Sequence, residues 1–197
     1  MRVFNRRIAA LTLCLGIAAT AAVAAEDAPP KVKFATTAGD FVLEVYPDKA
    51  PKTVENFLQY VKDKHYDGTI FHRVINNFMV QGGGYDTGYV QKATRAPVTH
   101  EGREALAKGG PKNVVGTVAM ARTNDPNSAT AQFFINVKDN AFLDPSAQSP
   151  GYTVFGKVAS GMEVIDKIKS MPTGPGGPFP SDVPRTPVVI TSATLVK

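Results

Sequence analysis

A succession of short apolar runs, each broken off by glycine, proline, asparagine or aspartate, leaves this chain few folds to choose from. The runs lie at 32–37, 41–46, 69–75, 78–81, 114–121, 132–137, 152–158 and 188–196, and they are rich in valine, isoleucine and phenylalanine. That length and composition suit half-buried strands. Ala38-Gly39-Asp40 makes a hairpin of the first two, since glycine supplies the backbone freedom of a tight turn. Only two segments carry a helical period. In the first, Asp48 is placed to cap, Pro51 suits the opening turn, Val54, Phe57, Leu58 and Val61 recur at i, i+3, i+4 and i+7, and His65-Tyr66-Asp67-Gly68 ends it. In the second, Met162, Ile165 and Ile168 share a face, with Glu163 early and Lys167 and Lys169 late, as the helix dipole favours. Many strands and two helices predict a mainly β barrel or sandwich and argue against a parallel α/β sheet. The stretches 85–112 and the Gly/Pro-rich 173–187 read as irregular connections.

The first 25 residues read as a secretory signal peptide: Arg2, Arg6 and Arg7, an apolar run over 8–23, and small residues at Ala22, Ala24 and Ala25. A membrane anchor fits less well, because the run is alanine-rich, is interrupted by Thr12, Gly16 and Thr20, and meets Glu26-Asp27 and Pro29-Pro30. No stable membrane insertion is expected once the leader is removed. Cys14 is the only cysteine and lies in that leader, so the remaining chain has neither disulfide nor thiolate nucleophile. The expected organisation is a leader over 1–25, a short extension over 26–31 and one domain over 32–197, enough for a single hydrophobic core. Loss of the three leader arginines leaves 19 basic against 17 acidic residues, a net charge of +2. Nucleic-acid binding loses its electrostatic basis.

Chemistry-bearing residues gather on the central runs. By strand alternation Gln132, Phe134 and Asn136 share one face, and Phe133, Ile135 and Val137 share the other. A strand aromatic on both faces is not simply apolar inside and polar outside, so one phenylalanine is expected to line a surface groove. Arg73 falls by the same alternation between Phe71 and Ile75, where a buried guanidinium needs acceptors. His65, His72 and His100 lack the spacing of a metal site. Gly82-Gly83-Gly84 lacks the lysine and following helix of a phosphate loop, which leaves a turn or bulge.

Two stretches together carry a family resemblance: Phe71-His72-Arg73-Val74-Ile75 with Phe78-Met79 and Gln81-Gly82-Gly83, then Met120-Ala121-Arg122 through Gln132-Phe133-Phe134-Ile135. They resemble the cyclophilins, the peptidyl-prolyl cis-trans isomerases, over residues 32 to the C-terminus. The resemblance implies a closed eight-stranded antiparallel β-barrel capped by two α-helices, with a groove for prolyl peptides on its outer face. It makes Arg73 the catalytic residue, puts Phe78, Met79, Phe134 and Leu143 around the proline ring, and sets Gln81 and Gln132 beside Arg73. Ala121, Arg122 and Thr123 would border the peptide backbone, and Phe142 and Tyr152 complete the substrate contacts. No cofactor or metal is implied.

Some positions depart from the better-known members. Phe142 stands where many carry tryptophan, Tyr152 replaces a histidine, Arg122-Thr123 replaces a smaller pair, and Asn76-Asn77 replaces Pro-Gly. With the leader, these resemble the bacterial periplasmic branch. The missing indole donor at Phe142 implies weak cyclosporin binding. Arg122 reads either as a solvated loop charge or as a contact favouring acidic substrates. The expected role is a monomeric, exported, periplasmic isomerase acting on proline-containing unfolded or partly folded exported polypeptides. The alternative is a proline-peptide-binding chaperone or assembly factor with incidental isomerase activity. A lipocalin-like carrier ranks below both, because the bulky strand residues predict a filled interior.

Overall fold

The computed structural model describes residues 28–196, so the expected leader, Cys14 and the first part of the 26–31 extension lie outside the described residues. The chain runs β1 (Lys31–Thr36), β2 (Gly39–Val45), α1 (Pro51–Lys62), β3 (Thr69–Ile75), β4 (Met79–Asp86), α2 (Gly102–Ala107), β5 (Thr117–Met120), β6 (Phe133–Asn136), β7 (Val154–Ser160), α3 (Met162–Lys169), β8 (Thr173–Gly176), β9 (Phe179–Pro184) and β10 (Ile190–Val196). Eight strands form one antiparallel sheet in the order β10-β1-β2-β7-β5-β6-β4-β3. Every strand anticipated from composition is present, with ends moved by a few residues.

The sheet curls until its edges meet, yet closure is slighter than the expected closed barrel. Edge strands β3 and β10 join through one bridge, Ile70 to Val189, with the Gly68 N–H donating to Ile190 O at 2.8 Å and the Phe71 N–H to Val188 O at 3.0 Å. The interior is filled by Phe34, Phe41, Phe57, Tyr66, Phe71, Phe133 and Phe155, all essentially inaccessible. Phe34 and Phe41 stack across β1 and β2 at 5.1 Å, and Phe57 of α1 meets Phe155 at 5.0 Å. Large rings in mutual contact thus occupy the interior that a carrier would leave hollow.

Three expectations about local structure need correction. Asp48 does not cap α1. It pairs with Lys49, while Glu101, 48 residues from Thr53, accepts the Lys52 N–H at 3.1 Å, the Thr53 N–H at 2.8 Å and the Thr53 hydroxyl at 2.8 Å. The first-turn donors of a helix need an acceptor, and a distant buried carboxylate serves as well as a local one. Stretch 85–112 contains the third helix, α2, which at six residues is too short for its period to stand out. Stretch 173–187 forms the β8–β9 hairpin rather than an irregular connection, turning at Gly177 with φ 51°. Proline is tolerated there because a two-stranded ribbon has only edges, so a missing N–H breaks no interior ladder.

Candidate functional site

The position of Arg73 is set by a bulge. Phe71 pairs with Gly82 and Arg73 with Gln81, so β3 advances two residues against one of β4 and His72 is the extra residue. A bulge reverses the inward and outward alternation beyond it. Phe71 and Val74 therefore both enter the core, while Arg73 is exposed on the outer surface. This corrects the expectation that Arg73 lies on the face of Phe71. The guanidinium carbon stands 5.9 Å from the Phe78 ring centre. Among the described residues, no hydrogen bond or ion pair holds the Arg73 side chain. Gln81 pairs with Arg73 across the ladder, and its amide N–H donates to Gln132 Oε1 at 3.0 Å.

Next to Arg73 is a hollow of about 170 Å³ lined by Arg73, Phe78, Met79, Gln81, Ala121, Arg122, Phe134, Leu143 and Tyr152. Its floor is a small apolar cluster of Met79, Ala119, Phe134, Leu143 and Val154, separate from the barrel interior. Alternation on β6 produces the separation: Phe133 and Ile135 enter the main core and Phe134 the outer cluster. The aromatic run thus builds a barrel and a groove at once. A larger depression lined by Pro29, Tyr46, Pro47, Lys49 and Pro111 shares no residue with that outer cluster.

The rims of the hollow are held by buried amides. Asn140 donates to Phe78 O at 2.9 Å and to Asn136 Oδ1 at 2.7 Å. Asn136 donates to Asn113 Oδ1 at 3.2 Å and to Thr117 Oγ1 at 3.0 Å, and Asn113 donates to Leu143 O at 3.2 Å. One chain of side chains therefore ties the backbone under Phe78 to that under Leu143. Sequence reasoning gave Asn113 and Asn140 no role. Asn136 was visible only as a polar residue on the face of Phe134.

Arg122 is not a solvated loop charge. Its guanidinium lies 4.5 Å from the Tyr152 ring centre and donates to Gly151 O at 3.1 and 2.8 Å and to Thr123 O at 2.8 Å. Tyr152 meets Phe134 edge-on at 5.5 Å, which carries this arrangement to the floor. Three of the expected contact residues are not lining residues. Thr123 is turned to Ser128, which its hydroxyl and N–H both reach. Gln132 accepts the Gln81 amide N–H. Phe142, 71% exposed, stacks on the Phe78 ring at 5.6 Å and extends the apolar rim.

His72 lies under the β8–β9 hairpin, 3% exposed, with Tyr85 at 4.7 Å and Phe179 at 5.2 Å. Burial, aided by the neighbouring Arg73 charge, lowers its pKa to about 4, so the ring beside Arg73 is neutral near pH 7. His65 and His100 reach the carbonyls of Gly83 and Gly151. No group of three or more His, Cys, Asp or Glu side chains that could hold a metal ion occurs among the described residues. Nor is any helix there long and apolar enough to cross a membrane.

Comparison with known proteins identifies the family. The family model described as cyclophilin type peptidyl-prolyl cis-trans isomerase matches residues 31–195. The chain is 55% identical over 168 residues to peptidyl-prolyl cis-trans isomerase cyp18 of Streptomyces antibioticus, covering 84% of this chain and 98% of that protein. It is 47% identical over 193 residues to peptidyl-prolyl cis-trans isomerase A of Dickeya dadantii, covering 98% of each. A crystal structure of a cyclophilin-type isomerase from Cryptosporidium parvum superposes with a TM-score of 0.67 at 23% identity, covering 86% of this chain and 98% of the other, a likeness of fold. With a family model matched over nearly all the described residues, relatives of 55% and 47% identity along most of its length and a shared fold, the chain belongs to the cyclophilin-type peptidyl-prolyl cis-trans isomerases.

Proposed function

We propose that the hollow beside Arg73 seats the ring of a substrate proline and that Arg73 catalyses rotation about the preceding peptide bond. Delocalisation of the amide nitrogen lone pair sets a barrier of roughly 18–20 kcal/mol, and uncatalysed X-Pro exchange takes on the order of 10–100 s. At the twisted transition state the lone pair is localised on the prolyl nitrogen, which then accepts a hydrogen bond that the planar amide does not. A donor placed there stabilises the transition state selectively. The observation that carries the reading is an exposed guanidinium, unpaired among the described residues, at the edge of a hollow with an apolar floor.

Arginine suits the task because its planar fork keeps its charge and its donor geometry. A charge-assisted hydrogen bond is worth about 1.5–3 kcal/mol, or about tenfold to a hundredfold in rate at ~1.36 kcal/mol per decade. The remaining acceleration comes from gripping the ring on Met79, Phe134 and Leu143 while the acyl side turns. The mechanism forms no covalent intermediate and needs no cofactor.

The substrates in this reading are proline-containing, unfolded or partly folded exported polypeptides met by a monomer in the periplasm. Supporting export is the arginine-led apolar leader. Weak cyclosporin binding follows from the phenyl ring of Phe142, which offers no N–H donor. A protease-coupled or NMR-exchange assay on an X-Pro peptide, with wild type beside Arg73→Ala, tests the central claim. Equal turnover by the two proteins would remove it.

The exposed Phe142–Phe78 ledge supports a second reading, in which the groove holds apolar proline-containing segments as a chaperone and isomerisation is incidental. Suppressed aggregation of a proline-free client by both wild type and Arg73→Ala would favour it.

A further inference from the structure

The groove residues include two guanidiniums and no carboxylate. Neither Arg73 nor Arg122 has an ion-pair partner among the described residues. The acidic side chain nearest in sequence to Arg122, that of Asp125, accepts the Asn127 N–H at 2.8 Å. The two arginines differ in how they are held. Arg73 has only the Phe78 ring at 5.9 Å and no hydrogen bond among the described residues, whereas Arg122 is fixed by three hydrogen bonds to carbonyls and by the Tyr152 ring at 4.5 Å. Those bonds occupy three of its five N–H donors and leave two, with the whole positive charge, for a ligand. A cation already fixed in place loses little side-chain freedom when an anion docks, which removes a cost that weakens ordinary surface ion pairs.

From this we infer that the groove selects prolyl peptides bearing a carboxylate on a residue next to the proline, with Arg122 as the specificity-determining residue. The inference rests on the isomerase reading for the place of the proline ring and adds the chemistry of the flanking residue. With the ring on Met79, Phe134 and Leu143, the peptide leaves the hollow past its rim, and Arg122 with Tyr152 forms one side of that rim. An acidic side chain there meets an uncompensated charge, and a lysine meets repulsion. Screening by salt weakens both effects, because the rim is open to solvent.

The experiment uses two capped, uncharged-end series, acetyl-Ala-X-Pro-Ala-amide and acetyl-Ala-Ala-Pro-X-amide, with X as Glu, Gln or Lys. Affinity is measured by NMR titration and turnover by NMR exchange, at low and high salt. In one series at least, Glu is expected to exceed Lys by about three- to tenfold in both readouts. Arg122→Gln should bring the ratio close to one, Arg122→Lys should keep part of it, and high salt should shrink it. Equal Glu and Lys affinities in both series, or a Glu preference unchanged in Arg122→Gln, would overturn the inference. The titration does not depend on turnover. Absent exchange with intact charge preference would therefore count against the isomerase reading alone.

Discussion

Phe71 and Val74, three residues apart on β3, both face the barrel interior. Regular alternation forbids that, and the extra residue His72 between them makes it possible. Arg73 owes its outward aim to this irregularity. In an unbroken strand it would share the face of Phe71, and its charge would be directed into an aromatic core at prohibitive cost.

Arg73→Ala should lower kcat/KM for an X-Pro peptide by at least about tenfold while leaving stability within about 0.5 kcal/mol, because the side chain is exposed and unpaired among the described residues. Arg73→Lys should not restore full activity, since an ammonium lacks the planar fork. Turnover and thermal melting of the three proteins check both statements.

Phe133 and Phe134 should separate folding from binding. Phe133→Ala opens a cavity in the main core and should cost about 3–5 kcal/mol. Phe134→Ala removes part of the groove floor, where solvent can fill the space, so a smaller stability loss is expected together with a marked rise in KM. Denaturant unfolding and peptide titration distinguish the two. Equal stability losses with unchanged peptide affinity for Phe134→Ala would contradict the assignment of its face.

The buried His72 predicts a slope of stability with pH. Its pKa is about 4 in the folded protein against an ordinary 6.5. Between those values the unfolded chain takes up a proton that the folded protein refuses, so stability is complete above 6.5 and is lost as pH falls towards 4. At ~1.36 kcal/mol for each pH unit the loss approaches about 3 kcal/mol. His65 and His100, also lowered by burial, act in the same direction. Melting temperatures of wild type and His72→Gln across this range should show a shallower slope in the variant. Parallel curves would refute the attribution.

Glu101 should matter to α1 far more than Asp48 does. Glu101→Ala leaves two helix N–H groups and a buried hydroxyl without their acceptor and should cost about 1–3 kcal/mol. Asp48→Ala removes an exposed neighbour pair with Lys49 and should change stability by less than about 0.5 kcal/mol. Chemical denaturation of the two variants decides between a local and a distant cap.

Short-range pattern was enough for the strands and for the helices α1 and α3, because periods of two and 3.6 are written in consecutive residues. It was also enough to show that Phe133 and Phe134 serve different surfaces. The β8–β9 hairpin was illegible because glycine and proline signal turns wherever they occur, and only its packing against His72 and Tyr85 makes a ribbon of it. Helix α2 was hidden by its length.

By itself the sequence determined a mainly β domain, the apolar residues available to its core, and the two motifs that carry the family likeness. Tertiary structure alone decided which way Arg73 points, which carboxylate caps α1, and that Arg122 is pinned by Gly151 and Tyr152 instead of moving in solvent. The physical reason is separation along the chain. The offset at His72 depends on the partner strand, and a cap or a pinned cation depends on groups brought from tens of residues away, so none of the three is written in the local order of side chains.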